Sequence, residues 1–325
     1  MRRIYLDRWV WIRLARADAG NEDASDLLPT LTSMREAVKE GRAEFPLSLT
    51  HYEENLHNAS GRQRRDVGKL MLELSNGVRM LGLSDRLVRA EWLAAVARRF
   101  KVTHSAPELS VFGRGVGFVY GSPMVGQIVR RDGEPFDPAD APWAADFEAY
   151  ANQLADEWLL CGPPDGVTIP GYDPNADRIF ADQFVKEEED QAQKFKLNRA
   201  NKSHQAKVLM AREWVRMVPL IGQDILDMGL DPEVLFANAD VMASMLRDMP
   251  VVNVSLELRR QQHRNPERQW SPNDYYDVEG LSVAVVHCDI VVTEAHWADI
   301  LRRTSLPERH NTTVLTHIKE LNQYL

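Results

Sequence analysis

Five acidic positions stand where single carboxylates could be brought together: Asp7, Glu54 (beside Glu53), Asp274, Asp277 and Glu294. Carboxylates that converge repel one another, and a hard divalent cation relieves that repulsion. Mg²⁺ or Mn²⁺ is held by a few carboxylates plus waters, leaving open positions for a phosphate oxygen. The chemistry that suits such a centre is phosphodiester hydrolysis with an activated water. Each acid also has a plainer reading. Asp7 before Arg8 reads equally as a strand-end charge. Glu53 and Glu54 are acids near a helix start, favoured there by the helix dipole. Asp274 stands three after Ser271 with Pro272 between, the pattern of a capping box. Asp277 lies one turn beyond and is not needed for a cap.

These acids must be positioned by regular elements, and the chain supplies them at both ends. RIYLD (3–7) is an apolar strand ending in Asp7, and WVWIRLARA continues it as a helix. Leu28, Leu31, Met34 and Val38 mark an amphipathic helix over 26–40, stopped by Gly41. FPLSLTHYEENL alternates like a strand through Phe45, Leu47 and Leu49, and Ser48 or Thr50 can cap the helix that follows. Another helix spans 62–75. Near the C-terminus, SPNDYYDVEGLSVAVVH is a helix, DIVVT a buried strand, AHWADILRRT a helix and TTVLTHI a last strand. PVVNVSLELRRQQ (250–262) suits a strand or a helix. Alternating strands and helices imply a parallel sheet with right-handed crossovers. In such sheets the site lies at the carboxyl ends of the strands. Asp7 and Glu294 follow strand ends and Glu54 lies just past one, whereas Asp289 begins its strand at the opposite edge.

Between these halves, Gly- and Pro-rich stretches (GRGVGFVYGSP, EPFDPADAPW, CGPPDGVTIPGYDP) alternate with helical patterns at 143–160 and 181–248. The expected organisation is α/β: residues 1–100 and 236–325 form one sheet domain, and 101–235 a mostly helical insertion. GRGVGFVYG reads as a turn-rich loop; Phe118 replaces the third glycine of a dinucleotide fingerprint. No His-Glu-x-x-His or Gly-x-Ser-x-Gly motif occurs. His51, beside the candidate glutamates, reads as a helix-surface residue before a substrate contact.

The order of motifs resembles the PIN-domain nucleases: RIYLD with Asp7, LSLTHYEE with Glu54, and DVEGLSVAVVHCDIVVTE with Asp277 sixteen residues before Thr293. The resemblance covers roughly residues 1–80 and 250–325. The chain departs from the family pattern in placing Glu294 directly after Thr293, where the family has an Asp two residues on, and in carrying Asp274 as an extra carboxylate. The resemblance implies a parallel-sheet, PIN-like domain flanked by helices and a metal-dependent endoribonuclease. Mg²⁺ or Mn²⁺ would be held by Asp7, Glu54, Asp277 and Glu294, with Asp274 an additional or supporting ligand. It also implies an RNA substrate and the roles such proteins often have as toxins, defence effectors or RNA-processing factors, leaving room for an inhibitory protein partner and for homo-oligomers. Two alternatives stand beside it: a catalytically inactive PIN-like scaffold that binds protein or nucleic acid, and a structure-specific DNA nuclease.

A net charge of −9 over 325 residues argues against coating nucleic acid by bulk charge, so basic patches matter locally. Lys194, Lys196, Arg199 and Lys202 lie in a strip without acids, and Arg259, Arg260 and Arg264 form a second cluster. These seven are the candidate nucleic-acid contacts, with GRQRRD (61–66) a third basic run. Two cysteines, Cys161 and Cys288, exclude a disulfide framework or cysteine-based zinc site. No apolar run is long enough to span a membrane and no cleavable leader is evident, so the expected location is cytoplasmic.

Overall fold

The structure is a computed structural model that describes residues 1–58, 60–101, 109–121, 143–163, 178–236 and 239–325. β1 (Arg2–Leu6) leads into α1 (Arg8–Asp18), and a 3₁₀ turn at Glu22–Leu27 precedes α2 (Leu28–Lys39). That helix ends where Gly41 takes φ +69°, a left-handed conformation that glycine adopts without penalty. β2 (Ala43–Glu44), α3 (Leu49–Leu56), α4 (Gly61–Ser75), β3 (Val78–Met80) and α5 (Asp85–Phe100) follow. The middle of the chain contributes β4 (Phe112–Arg114), α6 (Val116–Tyr120), α7 (Trp143–Cys161), α8 (Arg178–Leu197), α9 (Lys202–Asp227), α10 (Pro232–Leu235) and α11 (Ala239–Arg247). The last third comprises α12 (Pro250–Gln262), α13 (Pro272–His287), β5 (Ile290–Val292), α14 (Ala295–Thr304), α15 (Leu306–His310), β6 (Thr313–Leu315) and a 3₁₀ turn at Ile318–Gln323.

The expected α/β architecture is present: β2, β1, β5 and β6 form a parallel sheet in that order. Strands from the two ends of the chain are therefore direct neighbours. Leu6 pairs with Val292, which pairs with Leu315, so three strands end level with one another. A parallel bridge between Leu47 and Arg79 connects the segment after β2 to β3, which pairs antiparallel with β4.

Side-chain alternation along β1 sends residues to two layers. Ile4 and Leu6 join Trp11, Leu14, Leu31 and Leu70 in one core, while Tyr5 joins Val254, Val278, Leu281 and Trp297 in the other. A third core joins Val88 and Trp92 of α5 to Trp214 and Ile221 of α9, Met245 of α11 and Val252 of α12. Burying apolar surface at roughly 25 cal/mol per Å² makes these layers the main source of stability.

Several expectations change in detail. The strand at Phe45–Leu49 reduces to β2 and the single bridge at Leu47, because Pro46 lacks a donor and Ser48 already caps α3. GRGVGFVYG is not a plain loop; it supplies β4 and α6. The ambiguous 250–262 segment is helix α12. The described residues of the middle of the chain are mostly helical and pack closely on the rest, α7 against α3 and α4, α8 against α13, and α9 against α5 and α12. Residues 122–142 and 164–177, read as Gly/Pro-punctuated, lie largely outside the described residues. No described helix is long and apolar enough to cross a membrane.

Candidate functional site

Asp7 follows β1 directly and its buried carboxylate accepts a 2.8 Å hydrogen bond from the Thr293 hydroxyl at the end of β5. The strand pairing that levels Leu6 with Val292 is what brings these two residues together. Burial raises the Asp7 pKa, the Thr293 hydroxyl pulls it back, and the neighbouring charge of Glu294 raises it again, leaving it at about 6.

Glu54 comes from α3, whose N-terminus is fixed by a capping box: Ser48 caps the helix and its N–H donates to Nδ1 of His51 at 2.9 Å. On its other side His51 meets the Leu6 carbonyl at 2.7 Å. A carbonyl oxygen only accepts, so Nε2 carries the proton and Nδ1 is the acceptor. His51 is fully buried and is therefore neither a surface residue nor a substrate contact. It ties the residue before Asp7 to the first turn of α3, and burial lowers its pKa to about 4. This positioning role was missed from the sequence, where the only clue is a histidine three residues after a serine cap. Glu54 keeps part of its surface open to solvent, yet its surroundings raise its pKa to about 8 through desolvation and the charge of Asp7, opposed by Arg8.

Asp277 is delivered by α13. Its Oδ2 accepts a 2.7 Å hydrogen bond from the Trp297 indole of α14. Desolvation, then the charges of Asp7 and Glu54, hold its pKa well above the usual carboxylate range. Glu294 is exposed at the start of α14, and its charge acts on Asp7, Glu54 and Asp277 alike. Four of the five candidate acids thus share one electrostatic neighbourhood at the carboxyl edge of the sheet.

The approach of α13 to this edge depends on Gly280, one turn after Asp277. A Cβ at that position would overlap the Tyr5 hydroxyl and come within 3.2 Å of Thr50 Oγ1. Tyr5 is buried beneath the acids, and burial followed by the charges of Asp7 and Glu54 raises its pKa well above the ordinary value.

Asp274 does not join the four. Its Oδ2 accepts from the Ser271 N–H at 2.8 Å and hydroxyl at 2.9 Å, and its Oδ1 from Arg268 at 2.8 Å and Gln262 at 3.5 Å. Both oxygens are engaged in capping and an ion pair, so it is left out of the ligand set. Asp289 lies at the other edge, where its carboxylate accepts from the Arg3 N–H at 2.7 Å.

The basic candidates divide. Lys194, Lys196, Arg199 and Lys202 are exposed at the end of α8 and the start of α9. Arg259 is corrected: it is buried, pairs with Glu213, and lies 3.5 Å from Glu188, so it cannot reach a nucleic acid. Arg260 pairs with Glu257 at 2.9 Å and Arg264 donates to Gln261 at 2.8 Å. In the GRQRRD run, Arg64 is buried and donates to the last carbonyls of α7, at 2.8 Å to Leu159.

Carboxylate oxygen is the donor chemistry that hard divalent cations prefer. Among the described residues, however, no group of three or more His, Cys, Asp or Glu side chains is arranged so that it could hold a metal ion. The two observations describe different ranges. Charges influence one another over many ångströms, whereas coordination requires oxygens within about 2.0–2.6 Å of one point. The acids are electrostatic neighbours whose side chains do not close on a centre. No family model matches the chain, and neither the curated proteins nor the solved structures contain a match to it.

Proposed function

We propose that the chain is a PIN-like, divalent-metal-dependent endonuclease acting on RNA, with Asp7, Glu54, Asp277 and Glu294 as the acids that gather around Mg²⁺ or Mn²⁺. The observation that carries this reading is the crowding of four carboxylates at the carboxyl edge of a parallel sheet, three of them with raised pKa values. Asp7, Glu54 and Asp277, desolvated and each raised by a neighbour's negative charge, are relieved by protons or by a cation, because opposite charge nearby favours the ionised form. In the side-chain positions described above, protonation relieves the repulsion. The proposal requires the side chains of Glu54 and Asp277, partly exposed, and of Glu294, exposed, to move toward one point when a cation replaces those protons. The strand order β3, the segment after β2, β1, β5 and β6 and the motif order along the chain support the PIN-like reading.

A bound divalent cation would supply a Lewis acid and an activated water at neutral pH. The chain's own contribution is orientation. Thr293 holds one oxygen of Asp7, with the backbone of Glu294 and Trp9 also donating to that carboxylate, and Trp297 holds one oxygen of Asp277. Hydrogen bonds to a charged group are worth about 1.5–3 kcal/mol, enough to fix each rotamer. The exposed Lys194, Lys196, Arg199 and Lys202 would meet the phosphate backbone.

The test is cleavage of labelled single-stranded RNA in Mn²⁺ by the full chain, with Asp277→Asn as control and single-stranded and branched DNA in parallel. Cleavage of RNA that falls on the order of 100-fold in Asp277→Asn supports the reading, since loss of a ligand costs several kcal/mol of transition-state stabilisation. Equal cleavage by both proteins, or by neither, contradicts it. Cleavage confined to branched DNA would replace RNA with a structure-specific DNA substrate.

A further inference from the structure

A cavity of about 210 Å³ opens between the end of α8 and the segment joining α12 to α13. Its lining combines Phe195, His263 and Trp270 with Lys196, Arg199 and Arg268. The volume falls below the roughly 300–1,000 Å³ of pockets for larger ligands and suits one planar group. The rings are already arranged around one another: His263 lies 5.1 Å from Trp270 and 5.4 Å from Phe195, centroid to centroid. His263 is buried and its Nε2 is 2.6 Å from Glu188 Oε2. Burial pushes Glu188 up, but the His263 hydrogen bond and the charges of Arg259 and Arg212 outweigh it and hold its pKa at about 2. An ionised carboxylate only accepts, so Nε2 carries a proton toward Glu188. Nδ1 has no partner, which is costly for a buried polar atom and leaves it available to hydrogen-bond a ligand.

The rim is cationic. Lys196 and Arg199 are exposed. Arg199 occupies the left-handed region at φ 47°, a position where helices usually end in glycine. The far wall leads to the acidic edge. Arg268 pairs with Asp274 and lies 5.9 Å from the Trp297 ring, and Trp297 donates to Asp277.

We propose that this cavity receives one unpaired base of the RNA substrate, stacked against Trp270 and hydrogen-bonded to His263 Nδ1, while Lys196 and Arg199 contact the adjoining phosphates. The proposal rests on the nuclease reading for its ligand but not for its geometry. It makes the substrate single-stranded at this point, because a base can enter an aromatic pocket only when unpaired.

The experiment uses the full chain carrying Asp277→Asn, in EDTA, so that binding is read without cleavage or metal. Affinity for a fluorescent single-stranded RNA is measured over a salt series, and 4-thiouridine in the same RNA is photo-crosslinked and mapped. Lys196→Gln and Arg199→Gly are each expected to lower the slope of log affinity against log salt by about 0.7. Arg199→Gly relieves the left-handed backbone, so its thermal stability should hold or rise while affinity falls. Trp270→Leu should weaken binding about fivefold or more, and the crosslink should map to residues 195–199 or 263–270. Unchanged salt slopes with crosslinks elsewhere would overturn the pocket, as would the absence of RNA binding. Cleavage by the unsubstituted chain in Mn²⁺ is scored separately. Cleavage without pocket binding sinks only the pocket, and pocket binding without cleavage sinks only the nuclease.

Discussion

Thr293 and Trp297 each hold one oxygen of an acid, and this is the finest scale at which the site can be tested. Thr293→Val removes the hydroxyl that orients Asp7 while keeping its shape, and activity in Mn²⁺ is expected to fall about 10- to 100-fold, the usual cost of losing a ligand's supporting hydrogen bond. Wild-type turnover in that variant would show that Asp7 needs no such support. The raised acids also set a pH dependence. Asp7 at about 6, Glu54 at about 8 and Asp277 well above its ordinary value hold protons in the folded chain that the unfolded chain, titrating near 4, releases earlier. Between about pH 4 and pH 8 the folded state therefore binds more protons at these three acids, and their contribution to stability falls as pH rises. In thermal melts in EDTA, the midpoint of the unsubstituted chain relative to that of Asp277→Asn should drop as pH rises across this window. Glu91 and Glu279, both pushed up to about 7 by burial, act in the same direction, whereas His51 and His287, pushed down to about 4 by burial, act against it, so the difference between the two proteins isolates the acidic edge. The same pH dependence in both proteins would refute the shifts.

At the scale of elements, the site depends on how closely α13 lies against β1. Gly280→Ala puts a methyl group into the Tyr5 hydroxyl, and overpacking of this kind costs about 1–3 kcal/mol. Tyr5→Phe removes that hydroxyl, so the double variant should recover much of the loss in denaturant unfolding. Additive effects would mean that the contact is not the constraint. The elements nearest the site were the ones most legible in the sequence. The strands β1 and β5 are short apolar runs that end at an acid or Thr-Glu, and α13 carries a complete capping signal, Ser271, Pro272 and Asp274. Helix α12 was ambiguous for a physical reason: Val251, Val254 and Leu258 face one core while Val252 faces another, so burial on two sides erases the helical period. The role of His51 was hidden because its second partner, the Leu6 carbonyl, is 45 residues away along the chain.

For the whole molecule, the middle of the chain is joined to the sheet layers by a buried ionic network. Arg259 of α12 meets Glu213 of α9 and Glu188 of α8, and His263 completes it. As a basic cluster in the sequence, Arg259 looked like a nucleic-acid contact; its acids lie 46 and 71 residues away, so its burial had no local signature. Arg259→Met would leave two buried carboxylates without their shared cation and is expected to cost about 3–5 kcal/mol in chemical unfolding. Lys196→Gln on the exposed strip should change stability by no more than about 0.5 kcal/mol. Equal, small effects would show that the network does not hold the helices to the sheet. Above these tests stands the claim that the acids at the carboxyl edge hold one divalent cation. Titration with Mn²⁺, followed by the electron paramagnetic resonance signal of the free ion, addresses it without reference to substrate. The account predicts a single saturable site in the unsubstituted chain that is lost in Asp277→Asn and strengthens as pH rises toward 8. The absence of saturable binding, or equal binding by both proteins, would contradict it.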